Sequence, residues 1–296
     1  MSHILTLVAP AGALDVALVA RVRAALDALG AAPGTPDWLA EREAADILFT
    51  GAAEQAVAAA RAALADAPVD AIATAAEGRR KRLLIADMDS TIVTTETLDE
   101  IAAFAGLKEQ IAEITRRSMN GELDFRQALI GRVGMLKGLA VSALEATWTE
   151  TRMMPGAAEL VGTMRAHGAV CCLASGGFTF FTGRVAEKLG FHHHVSNTLL
   201  IEDGKLTGGV AEPIFDRHAK LTTLTRLAAE NALPLEGAVA VGDGANDLDM
   251  IKAAGLGVAF RAKPVVAAAA RAKVDHGDLT ALLFAQGYRR SAFVTR

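Results

Sequence analysis

Residues 83–96 read LLIADMDSTIVTTE, and the reading of this stretch decides the fold. Residues 83–86 are a short, uninterrupted apolar run, the pattern of a strand buried on both faces in a parallel sheet. The run stops at Asp87-Met88-Asp89-Ser90-Thr91. Open α/β sheets place their ligands beyond the carboxyl ends of such strands, so two acids flanking one residue are expected to serve one reacting centre. One carboxylate can ligate a divalent cation and act as a nucleophile while the other moves a proton. Alone, Asp-x-Asp is most often a solvated turn; its weight comes from its company further along the chain.

At 296 residues the chain is long for one ordinary domain and predicts two, with room for an inserted subdomain. It is rich in Ala, Leu, Val and Gly and poor in aromatics, which suits a soluble α/β protein. A formal charge of −4 supplies no general field for nucleic acid or other anions, so an anionic ligand needs placed cations and backbone N–H groups. Cys171 and Cys172 are adjacent in an apolar run, and their side chains are expected on opposite faces of a strand. Neither a bridge between them nor a shared metal follows, and both read as buried thiols of a reducing compartment. No run of roughly 20 apolar residues is present to span a bilayer. The first ten residues, MSHILTLVAP, lack the basic region and cleavage site of a secretory signal. A cytoplasmic protein without membrane or nucleic-acid partners is expected.

Residues 1–78 read as a separate module. A strand at 4–8, a helix at 14–29 ending at Gly30, strands at 38–39 and 45–49, a helix at 52–65 and a strand at 69–75 give the order β-α-β-β-α-β. That is the order of a ferredoxin-like sandwich. It shows no carboxylate–histidine cluster and no glycine-rich phosphate loop. A folding or dimerising appendage, and through it a homodimer, is preferred over a small-ligand regulatory module. Gly78-Arg79-Arg80-Lys81-Arg82 reads as an exposed basic linker into a second domain, residues 79–296.

After the Asp87 strand, residues 97–152 carry several short amphipathic patterns, including Ile101, Phe104, Leu107, Ile111 and Ile114, then Phe125, Leu129, Val133 and Leu136. Over 50 helical residues is too long for a simple crossover, and an inserted helical cap above the strand ends is expected. Residues 169–174 are the next buried strand, expected to end in the polar turn Ser175-Gly176-Gly177-Phe178, where a hydroxyl and unhindered amides suit an anion. His192-His193-His194 lie on an extended segment whose side chains alternate, so they are not read as a metal site. Residues 199–207 read as a hairpin turning at Asp203-Gly204. Lys220 is expected to open a helix. Residues 237–241 form another buried strand running into Gly242-Asp243-Gly244-Ala245-Asn246-Asp247, a second acidic turn. Asp243 suits a hard cation, and Asp247 suits a supporting role beside it. A strand at 256–260 and a helix at 265–272 follow, and the tail carries little legible chemistry.

Separate segments thus supply a carboxylate nucleophile with a second acid, a hydroxyl with backbone donors, a lysine and a metal carboxylate, the parts that phosphoryl transfer needs. Here the sequence resembles the haloacid dehalogenase superfamily, and within it the phosphoserine phosphatases. The matching pieces are DMDSTIVTTE (87–96), SMNGELDFRQALIGRVGMLKGL (118–139), ASGGF (174–178), EDGKLTGGV (202–210), HAK (218–220) and VGDGANDLDM (241–250). The resemblance covers roughly residues 82–284, with these pieces in order.

The resemblance implies a Rossmann-like core with a parallel sheet and a helical cap, Mg²⁺, and hydrolysis of L-phosphoserine to L-serine, the last step of serine biosynthesis. It implies Asp87 as the nucleophile and Asp89 as general acid and then base. It places Mg²⁺ on Asp87, the main-chain carbonyl of Asp89, and Asp243. Ser175, the Gly176 amide and Lys220 would hold phosphate, with Asn246 close by and Asp247 in support. Glu96 would receive the substrate ammonium and Arg132 its carboxylate, while Met119 and Phe125 close the site. Met88 stands where the family often has Phe. Residues 1–78 resemble, by element order alone, the ACT-like extension of longer members. The rival expectations are a phosphatase or phosphotransferase for another small phosphomonoester, such as phosphohomoserine, and a receiver-like signalling module. Asp89 argues against the last, because an acid beside the nucleophile speeds loss of the phosphoryl group.

Overall fold

The computed structural model describes residues 2–295. Its first part runs β1 (Ser2–Val8), α1 (Val16–Ala28), β2 (Asp37–Ala40), β3 (Ala44–Thr50), α2 (Ala53–Leu64) and β4 (Asp70–Ala75). The strands pair antiparallel in the order β2-β3-β1-β4, the ferredoxin-like arrangement. Alternation along the strands decides what each face covers. Leu5, Leu7, Ile47 and Phe49 pack against Val22, Leu26 and Val57 of the two helices. Val8, Leu39, Ala44 and Ile72 belong instead to the hydrophobic core of the remaining chain. The sheet is therefore sandwiched over much of its second face, while Leu48 of β3 stays exposed.

The second part begins with β5 (Leu83–Ala86), all four residues fully buried. Leu84 and Ala86 enter one hydrophobic layer, Leu83 and Ile85 the other, which is why the run carries no polar alternation. Four helices follow as an insertion: α3 (Thr97–Ala103), α4 (Lys108–Met119), α5 (Phe125–Gly134) and α6 (Ser142–Glu150). Thr94 N donates to Arg152 O at 3.0 Å and Met154 N to Ile92 O at 2.8 Å, so the two connections that carry this cap run side by side.

The chain then continues α7 (Ala157–Ala166), β6 (Val170–Phe178), α8 (Thr179–Leu189), β7 (His193–Asn197), and the hairpin β8 (Leu199–Glu202) and β9 (Lys205–Val210). It ends with α9 (Arg217–Glu230), β10 (Ala238–Gly242), α10 (Leu248–Ala253), β11 (Leu256–Phe260), α11 (Pro264–Ala269), β12 (Ala272–Val274) and α12 (Ala281–Ala285). The six long-range strands are parallel in the order β12-β11-β10-β5-β6-β7. Chain order reverses between β5 and β10, so the ends of β10, β5 and β6 open side by side at the switch point. Among the described residues, no helix is long and apolar enough to cross a membrane.

Several local expectations need correction. Within residues 78–82, Gly78, Arg80 and Arg82 are exposed as expected, but Arg79 is largely buried, pairs with Asp46 at 2.6 Å, and donates to Thr6 and to the carbonyls of Phe284 and Ala285. Tertiary acceptors absorbed charges that composition alone assigned to solvent. Strand β6 does not stop at Ala174 but runs through Ser175-Gly176-Gly177 to Phe178, with irregular register against β7. Lys220 sits in the second turn of α9, whose N-cap Asp216 accepts from Ala219 N. The segment 265–272 breaks after Ala269 so that residues 272–274 can add the edge strand β12. The tail also works: Gln286 accepts from Lys81 N, while Arg289 reaches Asp37 and Arg290 reaches Glu43 of the N-terminal sheet. Cys171 and Cys172 are free, buried and split between the two layers.

Candidate active site

Asp87 is the first residue past β5, and its N–H still donates to Val241 O of β10 at 2.9 Å. That extra rung ties the Asp87 backbone to the strand that delivers Asp243. The chain then turns sharply, because the Met88 carbonyl accepts from the amides of Thr91, Ile92 and Val93. Ser90 takes a left-handed conformation (φ 53°) in this turn. From there its hydroxyl donates to Glu96 Oε1 at 2.6 Å, which holds the glutamate at the mouth of the cap. Asp89 is fixed from the first residue of α3: Thr97 donates to it through its amide (3.2 Å) and its hydroxyl (3.3 Å).

On the other side of β5, β10 hands over Asp243 and Asp247. The Oδ2 of Asp247 accepts from the amides of Asp243 (3.2 Å) and Gly244 (3.1 Å), and its Oδ1 accepts from Lys220 Nζ at 2.5 Å. Lys220 Nζ also donates to Asp87 Oδ1 at 2.5 Å, in the fully buried floor of the site. From β6, Ser175 Oγ accepts from Gly177 N at 2.9 Å. Asn197 at the end of β7 donates to the Gly176 carbonyl at 2.9 Å and so sets this strand end.

The glycines are required by closeness. A Cβ on Gly176 would lie 2.8 Å from the ring of Phe125 in the cap, and one on Gly177 would lie 2.9 Å from Asp89 Oδ2. Only hydrogen at these positions lets α5 and Asp89 approach β6.

One cavity joins these parts. Asp87, Asp89, Ser175, Gly176 and Asn246 line its floor; Glu96 and Arg132 line it from the cap stem and α5; Met119, Phe125, Leu98 and Leu129 supply apolar walls. Lys220, Asp243 and Asp247 lie beneath, buried. Every candidate read from the sequence thus falls in one place. Residues not singled out there are Ser90, Thr97, Asn197 and Ser118. Ser118 lines the cavity with a buried hydroxyl lacking any partner. Ser90 and Thr97 adjoin the acidic motif and were within reach of a closer reading, whereas Asn197 sits in a stretch with no chemical signal.

The electrostatics show an excess of buried negative charge. Burial, and then the Asp247 carboxylate, push the Asp87 carboxyl up to about 7 despite Lys220 beside it. Burial and then Glu96 push Asp89 and Asp243 well above the carboxylate range, and burial raises Glu96 as well. For Lys220 burial works downward, but Asp247 and Asp87 outweigh it and the ammonium is held charged. Two buried oxygens, Asp87 Oδ2 and Asp243 Oδ2, have no partner. Carboxylate oxygens of Asp87, Asp243 and Asp247 lie within 4.8 Å of one another. Because both oxygens of Asp247 are engaged, the unsatisfied pair on Asp87 and Asp243 fits a hard, oxygen-preferring cation.

Comparison with known proteins agrees with this geometry. The family model of haloacid dehalogenase-like hydrolases matches residues 84–252. The phosphoserine phosphatase of Streptomyces coelicolor is 45% identical over 219 residues, covering 74% of this chain and 53% of that protein, so the chain spans about half the length of that relative. A solved phospho-aspartyl intermediate analogue of phosphoserine phosphatase superposes with a TM-score of 0.67 at 40% identity, covering 69% of this chain and 98% of that one. A haloacid dehalogenase family hydrolase from Salmonella enterica serovar Typhi superposes over 96% of this chain and 97% of its own, with a TM-score of 0.83 at 30% identity. Three adjacent strand ends bearing Asp87, Ser175 and Asp243, with the family match running through all of them, place the chain among the haloacid dehalogenase-like hydrolases.

Proposed function

We propose that this protein is a phosphoserine phosphatase: a Mg²⁺-dependent phosphoric monoester hydrolase that converts O-phospho-L-serine to L-serine and phosphate in the cytoplasm, at the end of serine biosynthesis. The observation that carries this reading is the single cavity lined by Glu96, Arg132, Asp87 and Ser175. Phosphoserine is a zwitterion with a dianionic tail, and these groups match its ammonium, carboxylate and phosphate in kind. The names of the Streptomyces relative and of the phospho-aspartyl analogue support the same substrate and intermediate.

Lys220 Nζ holds Oδ1 of Asp87 and so fixes the carboxylate that attacks phosphorus. As that P–O bond forms, the bond to the serine oxygen breaks, and Asp89 donates its proton to the departing alkoxide. Burial keeps Asp89 protonated well above the ordinary carboxylate range, as a general acid requires. Water then attacks the aspartyl-phosphate, Asp89 takes up its proton, and phosphate leaves with Asp87 regenerated. Ser175, the Gly176 amide and Lys220 hold the phosphoryl oxygens in both steps, Asn246 lies beside them, and Asp247 orients Lys220. Asp87, the Asp89 carbonyl and Asp243 would hold Mg²⁺, which supplies charge neutralisation for the transferring group. Met119 and Phe125 exclude bulk water.

The test is a Mg²⁺-dependent phosphate-release screen over phosphoserine, phosphothreonine, phosphohomoserine and sugar phosphates, without added acceptor. Phosphoserine is expected to give the highest kcat/KM. Preference for another ester, or release only when an alcohol acceptor is added, rejects the proposal.

A further inference from the structure

Arg132 is buried in α5 and forms no ion pair among the described residues. Its Nε donates to Ala128 O at 3.1 Å, within its own helix, and its Nη1 donates to Thr115 Oγ1 of α4 at 2.8 Å. Thr115 in turn donates to Asp99 Oδ1 of α3 at 2.6 Å. All three side chains are more than nine-tenths buried. The chain Asp99–Thr115–Arg132 therefore crosses three cap helices and ends on the guanidinium in the cavity.

A threonine hydroxyl has one proton and two lone pairs. Two acceptors compete for the proton, Asp99 Oδ1 at 2.6 Å and the Ile111 carbonyl at 3.1 Å. The shorter, anionic acceptor takes it, since charge-assisted bonds are the stronger ones. The lone pairs of Oγ1 then point away from Asp99 and receive Arg132 Nη1. Without the carboxylate, the hydroxyl of a helical threonine turns back to the carbonyl four residues earlier, as such residues ordinarily do. Asp99 thus sets the direction of the hydroxyl, and the hydroxyl sets the position of the guanidinium. Because Asp99 does not touch Arg132 directly, the cation is steadied without being neutralised, and its charge stays available.

We infer that Thr115 and Asp99 are positioning residues that lock Arg132 for recognition of the substrate carboxylate. This rests on the reading of Arg132 given above and deepens it. Neither residue touches the reacting atoms, so the effect belongs to binding and selectivity rather than to the phosphoryl step.

The experiment compares phosphoserine with phosphoethanolamine, which keeps the ammonium and phosphate but lacks the carboxylate. In Thr115→Val, the ratio of kcat/KM for phosphoserine to that for phosphoethanolamine is expected to fall about tenfold, mostly through KM, the size expected for a lost hydrogen bond to a charged group. Thr115→Ser, which keeps the hydroxyl, should restore the ratio to within about twofold of wild type on the same basis. Equal losses on both substrates, or no loss, would mean that Thr115 only packs the cap, and would overturn the assignment. Should Thr115→Val fail to fold, Asp99→Asn is isosteric and removes the anionic acceptor; its ratio should fall in the same direction, and an unchanged ratio overturns the assignment. A wild-type enzyme that releases no phosphate from phosphoserine sinks the proposed function itself. One that prefers phosphoserine while the variants leave the ratio unmoved sinks only this inference.

Discussion

Lys220 and Asp87 meet at 2.5 Å, Nζ to Oδ1, with side-chain exposures of 1% and 2%. The same ammonium reaches Asp247 at 2.5 Å. One cation thus bridges the acid at the end of β5 and the acid that closes the turn between β10 and α10. It leaves Asp87 with one oxygen engaged and one, Oδ2, without a partner. A buried cation between two carboxylates also limits their repulsion, so catalysis and folding draw on the same contact.

Lys220→Met should therefore lower kcat/KM on phosphoserine by roughly 10²–10³-fold, the usual cost of removing one preorganised charge-stabilising group. It should also lower stability by about 3–5 kcal/mol, since it strands buried carboxylates. Urea unfolding beside steady-state kinetics checks both. A variant with lost activity and unaltered stability would show that the carboxylates find other compensation.

The unsatisfied oxygens of Asp87 and Asp243 predict a metal-dependent melting temperature. At a Mg²⁺ concentration 100 times its Kd the folded state gains about 2.7 kcal/mol. Asp243→Asn should remove most of this gain, yet melt no lower than wild type in EDTA, because it replaces a buried acid that has no ion-pair partner among the described residues. Thermal melts with and without chelator measure it. An Asp243→Asn protein with the full Mg²⁺ shift would place the ion elsewhere.

The metal-free protein should lose stability as pH rises. Asp87 is raised from 3.8 to about 7, and Asp89, Asp243 and Glu96 are raised too, all by burial first. Between the ordinary carboxylate range and the folded values, the native state binds more protons than the unfolded chain, so the slope of stability against pH is negative. For Asp87 the contribution is complete at low pH and disappears as pH passes about 7. Denaturant midpoints from pH 5 to 8 in EDTA should fall, and Asp87→Asn should flatten the slope. A rising midpoint in EDTA would contradict the burial of these acids.

Arg79 predicts coupling between the N-terminal sheet and α12. Its guanidinium pairs with Asp46 and Thr6 of the N-terminal sheet while donating to Phe284 and Ala285 at the C-terminal end. Arg79→Ala leaves Asp46 buried without its cation and should cost about 3–5 kcal/mol. Arg79→Lys should not restore it, because an ammonium cannot span this fork of acceptors. Urea titrations of the three proteins decide the point; wild-type stability in Arg79→Ala would leave the docking to the remaining polar and apolar contacts.

Most of the cavity floor was legible in the chain because it lies where buried strands end. A run such as residues 83–86 must be apolar to sit in a parallel sheet, so the first polar residue after it marks the sheet's edge. The cap was legible from its helical periodicity between two core strands. What could not be read were partners set by distant segments: Ser90 under Glu96, Asn197 on the Gly176 carbonyl, Thr115 between Asp99 and Arg132. Arg79 was misread for the same cause, since a basic run is solvated unless folding brings it acceptors.

The sequence by itself determined the strand-end acids, the Ser-Gly-Gly segment, most of the order of elements and the family, because local pattern and spacing carry that information. Only the tertiary structure decided which oxygens are left unsatisfied, which arginine is buried and braced, and that the N-terminal sheet packs much of its second face on the core. Those outcomes depend on side chains from segments up to two hundred residues apart arriving at one point, and desolvation there, rather than residue type, sets their charge and reach.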